Sequence, residues 1–177
     1  MKYFKKMLGK KCYLSPINQT DYEQYTEWLN DLEVSKYLSL SSLNITLESE
    51  KKALENISKE HNYAIIDLTT NKLIGNVGLM DINNINRTAE IGIFIGDKEF
   101  QNLGYGTEAI KLLLNYSFNI LNLKNILLRT YSFNQRALKC YEKCGFKIIG
   151  KRRNSQYFTG EYHDIIFMDI LSDEFED

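Results

Sequence analysis

Gln101-Asn102-Leu103-Gly104-Tyr105-Gly106-Thr107-Glu108-Ala109 lies where a strand-like run ends and a helix-like run begins. Glycines at 104 and 106 let a backbone come close to a ligand, and the first-turn N–H groups of the following helix lack intrahelical partners. Those amides converge on an anion, and the helix dipole favours negative charge at the same place. The stretch therefore reads as a seat for phosphates and as the joint between a sheet and a helix.

On its N-terminal side, Ala89 to Ile95 alternates, with Ile91, Ile93 and Ile95 on one face and Glu90, Gly92 and Phe94 on the other. A glycine in mid-strand marks a bulge or a close approach to the backbone. On its C-terminal side, Ala109, Leu112, Leu113, Tyr116 and Ile120 recur at helical spacing and predict a helix from Tyr105 to about Asn119. Asn125 to Tyr131 follows as a strand whose Ile126, Leu127 and Leu128 do not alternate, as expected when both faces are covered.

Asn134 suits the N-cap of a further helix with Ala137, Leu138 and Tyr141 on one face, and Gly145 suits the position just past its end, with Phe146 packing behind it. Lys147 to Phe158 and Glu161 to Leu171, about Thr159-Gly160, read as a last pair of strands. Nearer the N-terminus, a strand at Cys12 to Ser15 precedes Thr20-Asp21-Tyr22-Glu23, which reads as a capping box opening a helix to about Leu29. A second helix is expected from Thr46 to about Ser58. Tyr63 to Leu68, the polar turn Thr69 to Lys72 and Leu73 to about Ile82 form a hairpin pattern. The whole reads as α+β with a mixed sheet.

The chain has 177 residues, 44% of them hydrophobic, which suits one compact domain over residues 1–177. Twenty-two Lys plus Arg against 23 Asp plus Glu leave no global basic field of the kind nucleic-acid binding needs. Lys2, Lys5, Lys6, Lys10 and Lys11 are not followed by a sustained apolar segment, so neither a signal peptide nor a membrane span is expected, and a cytoplasmic location is. Cys12, Cys140 and Cys144 lack C-x-x-C spacing, and His61 and His163 lack a metal-ligand spacing, so no metal is expected.

Gly104-x-Gly106-x-x-Ala109 formally satisfies the dinucleotide fingerprint G-x-G-x-x-G/A. Several elements precede it, however, and no acidic residue closes the Asn125 to Tyr131 strand to bind a ribose. No G-x-x-x-x-G-K-[ST] occurs, which sets aside the P-loop. An ordinary glycine-containing turn with no ligand is the remaining alternative for the stretch taken alone.

Its neighbours make it recognisable. Gln101, Gly104 and Gly106 match Q/R-x-x-G-x-G/A. Ala89-Glu90-Ile91-Gly92-Ile93-Phe94-Ile95-Gly96 looks like a central strand, and Asn134, Ala137, Tyr141, Gly145 and Phe146 match N-x-x-A-x-x-x-Y-x-x-x-G-F. In this order the motifs resemble the GNAT acyltransferases, and within them the RimJ/RimL-like N-acetyltransferase branch, over roughly Lys11 to Leu171. Asn102 stands where many members have glycine; asparagine tolerates left-handed backbone angles better than most residues.

The resemblance implies a central, mostly antiparallel sheet of about seven strands with about four helices. It implies acetyl-CoA as co-substrate and an amine as acceptor. The amides of Gln101, Asn102, Leu103, Gly104, Tyr105, Gly106 and Thr107 would hold the pyrophosphate, and the backbone of Phe94, Ile95 and Gly96 would pair with the pantetheine arm like an added strand. Asn134 and Ala137 would line the cofactor as well, although Asn134 has a sufficient reason to be there as a cap. Tyr141 matches the tyrosine that donates to the departing thiolate; its periodicity alone reads as core packing.

Glu90 is the candidate base: it shares the Gly92 face, and two residues along a strand is about 7 Å. A salt-bridged or solvated glutamate explains it equally, and Tyr131, Asp81, Tyr162 and Asp164 are reserves. The acceptor is a protein N-terminus, a polyamine, an amino sugar or an aminoglycoside. A noncatalytic acyl-CoA sensor on the same fold is the alternative function, and a homodimer the assembly to test.

Overall fold

A computed structural model gives the arrangement of residues 2–39 and 41–176. Strands β1 (Met7–Leu8) and β2 (Cys12–Pro16) are followed by helices α1 (Tyr22–Asn30), α2 (Leu32–Ser35) and α3 (Leu47–Ile57). Strands β3 (Asn62–Asp67), β4 (Leu73–Asn83) and β5 (Thr88–Ile95) precede helix α4 (Tyr105–Asn119). Strand β6 (Asn125–Tyr131), helix α5 (Gln135–Lys143) and strands β7 (Lys147–Phe158) and β8 (Glu161–Leu171) complete the chain.

The strands form one eight-stranded sheet in the order β1-β2-β3-β4-β5-β6-β8-β7. The β1–β2, β2–β3, β3–β4, β6–β8 and β7–β8 pairs are antiparallel, and β5–β6 is parallel. A parallel pair needs a crossover, and α4 supplies it, so the glycine loop stands at the carboxyl end of β5. The fold is mixed α+β, as the sequence predicts, with eight strands and five helices among the described residues rather than about seven and four. The additions are the two-residue β1 and the four-residue α2, both too short to show a hydrophobic period.

Two compact units divide the chain: one runs up to Leu79 and includes Ile93–Leu113, and the other comprises Met80–Gly92 and the chain from Leu114 onward. In the first, Tyr13, Tyr25, Trp28, Leu54, Ala64 and Ile66 form a buried cluster where α1 and α3 cover the sheet. In the second, Ile126 faces Ile170 and Leu128 faces Met168 across β6 and β8, all four buried. Elements β4, β5 and α4 contribute residues to both units.

One expected cap is placed elsewhere. Thr20 does not open α1: Asn18 Oδ1 takes both the Thr20 backbone N–H (3.0 Å) and its hydroxyl (2.9 Å), making a 3₁₀ turn over Gln19–Asp21 before α1 starts at Tyr22. The asparagine two residues upstream captures the threonine before it can cap the helix. A reciprocal capping box does occur at α3, where Thr46 and Ser49 satisfy each other's backbone N–H groups at 3.1 and 3.0 Å. The hairpin pattern holds: β3 pairs with β4 through a turn in which Asn71 takes a left-handed φ of 59°.

Candidate active site

In the first unit, the end of β5 is locked before the loop begins. Gly96 N–H donates to Ile74 O at 2.9 Å, and a Cβ on Gly96 would fall 2.1 Å from the Trp28 ring, so only glycine fits beneath the indole. The Phe94 ring meets Tyr25 and Trp28 edge to face at 6.1 and 6.2 Å. Gln101 folds back so that its side-chain amide donates to Ile95 O at 2.9 Å, which ties the start of the loop to the end of the strand.

The loop then turns through two left-handed residues, Asn102 at φ 61° and Gly104 at φ 89°, and enters α4 at Tyr105. Asparagine and glycine are the residues that accept this conformation at least cost. Gly106 and Thr107 lie in the first turn of α4. Leu103 and Gly104 are exposed at the tip.

Three contacts from distant segments brace this loop. The Tyr105 hydroxyl donates to Asp67 Oδ1 at 2.6 Å, and that carboxylate also accepts from the Thr70 N–H and hydroxyl at 2.7 and 2.6 Å. Burial works to raise the Asp67 carboxyl, but the Thr70 and Tyr105 donors outweigh it and hold the group below the usual range. The same bond to Asp67, with burial, pushes the Tyr105 phenol up to about 12. The Glu108 carboxylate accepts the backbone N–H groups of Lys10, Lys11 and Cys12 at 2.9, 2.8 and 2.8 Å, and Lys11 Nζ donates to Leu103 O at 2.7 Å.

In the second unit, Asn134 caps α5 by accepting the Ala137 N–H at 3.2 Å. The far end closes on Gly145 at φ 94°, with Gly145 N–H bonded to Glu142 O (3.0 Å) and Phe146 N–H to Tyr141 O (3.1 Å). That double bond pattern with a left-handed glycine is a Schellman cap. It fixes the backbone of Tyr141, whose ring meets the buried Phe146 ring edge to face at 6.2 Å. Burial pushes the Tyr141 phenol well up, so it stays protonated and able to donate, and its hydroxyl makes no hydrogen bond among the described residues.

Glu90 is buried on β5, and its Oε1 accepts from Arg129 Nε of β6 at 2.7 Å. The other carboxylate oxygen carries no hydrogen bond among the described residues. Pairing of β5 with β6 covers Thr88–Glu90 against Asn125–Leu127, and Ile91 and Gly92 are outside it. Gly92 has a packing reason too: a Cβ there would sit 3.0 Å from the Met80 methyl.

The expected residues thus fall into two groups. Phe94, Ile95, Gly96 and Gln101 to Thr107 are contiguous in one unit; Glu90 with Arg129, and Asn134, Ala137 and Tyr141 on α5, lie in the other. Among the reserves, Asp164 is held by Lys151 and the Asn154 N–H, Tyr131 is buried, Tyr162 is exposed, and Asp81 is exposed with a left-handed φ of 51°. The bracing residues Lys11, Asp67 and Glu108, and the Glu90 partner Arg129, have no local sequence signal, because each acts across 38 or more residues of chain. No group of three or more His, Cys, Asp or Glu able to hold a metal occurs among the described residues, and no described helix is long and apolar enough to cross a membrane.

The loop that enters α4 at the carboxyl end of β5 through two left-handed residues is what an acyl-CoA transferase reading rests on. The chain belongs to the GNAT acetyltransferases: the family model described as Acetyltransferase (GNAT) domain matches residues 11–147. It is an acetyltransferase, with acetyl-CoA as its co-substrate.

The spermidine N(1)-acetyltransferase of Vibrio cholerae is 38% identical over 116 residues, a match spanning 66% of each chain. The solved structure of the spermidine N-acetyltransferase from Vibrio cholerae in complex with CoA and spermine superposes with a TM-score of 0.84 at 28% identity, covering 94% of this chain and 98% of that one. A GNAT-family acetyltransferase from Bacillus anthracis shares the fold, with a TM-score of 0.84 at 23% identity over 95% of this chain and 99% of that one.

Proposed function

We propose that the protein transfers the acetyl group of acetyl-CoA to a primary amine of a polyamine by direct attack within a ternary complex. The observation that carries the reading is the loop of Asn102 and Gly104, whose two left-handed residues present the first turn of α4 at the end of β5. The choice of polyamine over a protein N-terminus, an amino sugar or an aminoglycoside rests on the likeness to spermidine acetyltransferases. Membership in the RimJ/RimL-like branch is part of the same reading and rests on the order of the three motifs.

In this reading the amides from Gln101 to Thr107 bind the pyrophosphate, and the backbone near Phe94, Ile95 and Gly96 pairs with the pantetheine arm. Asn134 and Ala137 contact the cofactor from the start of α5. The amine nitrogen forms its bond to the acetyl carbon, a backbone N–H stabilises the oxyanion, the C–S bond breaks as the Tyr141 proton passes to the sulfur, and the proton that the nitrogen sheds in becoming an amide restores the phenol through water. Glu90 accepts the proton of the incoming ammonium, directly or through water, on the oxygen that Arg129 leaves open. Holding both reactants in one geometry supplies much of the acceleration.

Thiol release from acetyl-CoA, followed over a panel of amines, tests this. Turnover highest with spermidine or spermine is the expected result, and turnover confined to aminoglycosides or peptides would overturn the acceptor assignment. Stabilisation by acetyl-CoA in a thermal melt without turnover on any amine would favour the noncatalytic sensor. Sedimentation of the purified chain tests a homodimer, a reading supported by the exposed Ile148 and Ile149 on the edge strand β7.

A further inference from the structure

The turn between β1 and β2 reaches across to the glycine loop, and nothing in the sequence motifs accounts for it. Gly9 N–H closes the turn on Cys12 O at 2.9 Å, and the next three backbone N–H groups, those of Lys10, Lys11 and Cys12, all end on the Glu108 carboxylate. Burial works to raise the Glu108 carboxyl, but these three donors outweigh it and hold the group below the ordinary glutamate range. Its negative charge is therefore kept inside the first turn of α4, beside the amides that the functional reading gives to a pyrophosphate.

An anion cannot be bound cheaply next to that carboxylate without a cation to offset it. Lys11 is in place to be that cation. Its Nζ donates to the Leu103 carbonyl at 2.7 Å and lies 3.5 Å from the point a Cβ on Gly104 would occupy, which puts the ammonium against the exposed tip of the loop. A carbonyl takes one of its three protons and none of its charge, and Lys11 has no ion pair among the described residues. Lys72 and Lys98, by contrast, are committed to Asp97 and Asp31.

We propose that Lys11 is the cation that binds the cofactor's pyrophosphate, and that Glu108 positions it by clamping the β1–β2 turn to the start of α4. The inference rests on the acetyl-CoA reading of the loop. It makes a lysine 92 residues upstream of Leu103 part of the cofactor site, and it gives Glu108 a positioning role in place of contact with the ligand.

Equilibrium binding of CoA, dephospho-CoA and acetyl-CoA to the full chain at low and high salt decides it. Lys11→Met should weaken all three by about fivefold at low salt, the size an exposed charge pair carries, and should reduce the salt dependence. Lys11→Arg should keep affinity near wild type. Glu108→Gln removes the clamp and the opposing charge together, so the coupling is the readout: Lys11→Met should cost far less in the Glu108→Gln background than in wild type, because both act on one interaction. Wild-type affinity and salt dependence in Lys11→Met would overturn the inference alone, as would a loss that vanishes with dephospho-CoA, which would place the cation on the 3′-phosphate. Failure of the wild-type chain to bind any of the three would instead bring down the functional reading, and this inference with it.

Discussion

Phe146 holds Tyr141 twice: its N–H is bonded to the Tyr141 carbonyl at 3.1 Å, and its ring lies edge to face with the phenol at 6.2 Å. The first contact belongs to the Schellman cap at Gly145, and the second is the hydrophobic contact that accompanies such caps. The spacing Tyr-x-x-x-Gly-Phe is therefore a way to fix a tyrosine two residues before a helix ends. Among the described residues its hydroxyl makes no hydrogen bond, and burial keeps the phenol protonated, which the proposed donor role requires. Tyr141→Phe should lower kcat by about a hundredfold while acetyl-CoA affinity changes little, measured by steady-state kinetics alongside direct cofactor binding. An unchanged kcat would take Tyr141 out of the chemistry.

Asn102 sits at φ 61° in the loop. A Cβ-bearing residue without a short polar side chain is strained there by about 1 kcal/mol. Asn102→Ala should lower the melting temperature and weaken CoA binding together, and Asn102→Gly should preserve both. Equal behaviour of the two variants in denaturant melts would show that the loop does not depend on this conformation.

Glu90 tests the proton route. With Oε1 fixed by Arg129, Glu90→Gln keeps the shape of the group and removes its capacity to accept a proton. Activity should fall most at pH values below the acceptor's pKa, where the amine arrives protonated, and recover as the pH rises. A rate–pH profile that only shifts in height would mean that the proton leaves by another path.

Glu50 on α3 is buried, and burial raises its carboxyl pKa because the charged form loses water. A carboxyl raised in the folded state contributes its full stability below the unfolded pKa and loses it as the pH rises through the folded one. Glu50→Gln should therefore raise the melting temperature at neutral pH, and the gain should disappear below the ordinary glutamate range. A gain that persists unchanged into acid would rule out ionisation as its cause.

Helix α4 was legible from periodicity, strand β6 from its unbroken apolar run, and α5 from its cap residues, because these signals are local: a period, a run, an N-cap at Asn134, a left-handed glycine at 145. The Thr20 cap misled for a reason equally local but competing, since Asn18 reached the same N–H first. The partner of Glu90 was invisible, because Arg129 lies 39 residues away and meets it only when β5 and β6 pair. The same holds for Asp67 beneath Tyr105, 38 residues distant.

The sequence by itself determined that this chain builds a strand, a glycine turn and a helix, followed by a tyrosine on a capped helix. Those properties follow from glycine and asparagine conformations and from unsatisfied helix-end amides, which need no distant neighbour. Tertiary structure alone decided which groups brace that loop and which charges stand beside it. The Glu108 clamp on the β1–β2 turn, the Lys11 ammonium at Leu103 and the Arg129 bond to Glu90 come from hydrogen bonds closed across long stretches of chain, and no periodicity encodes those.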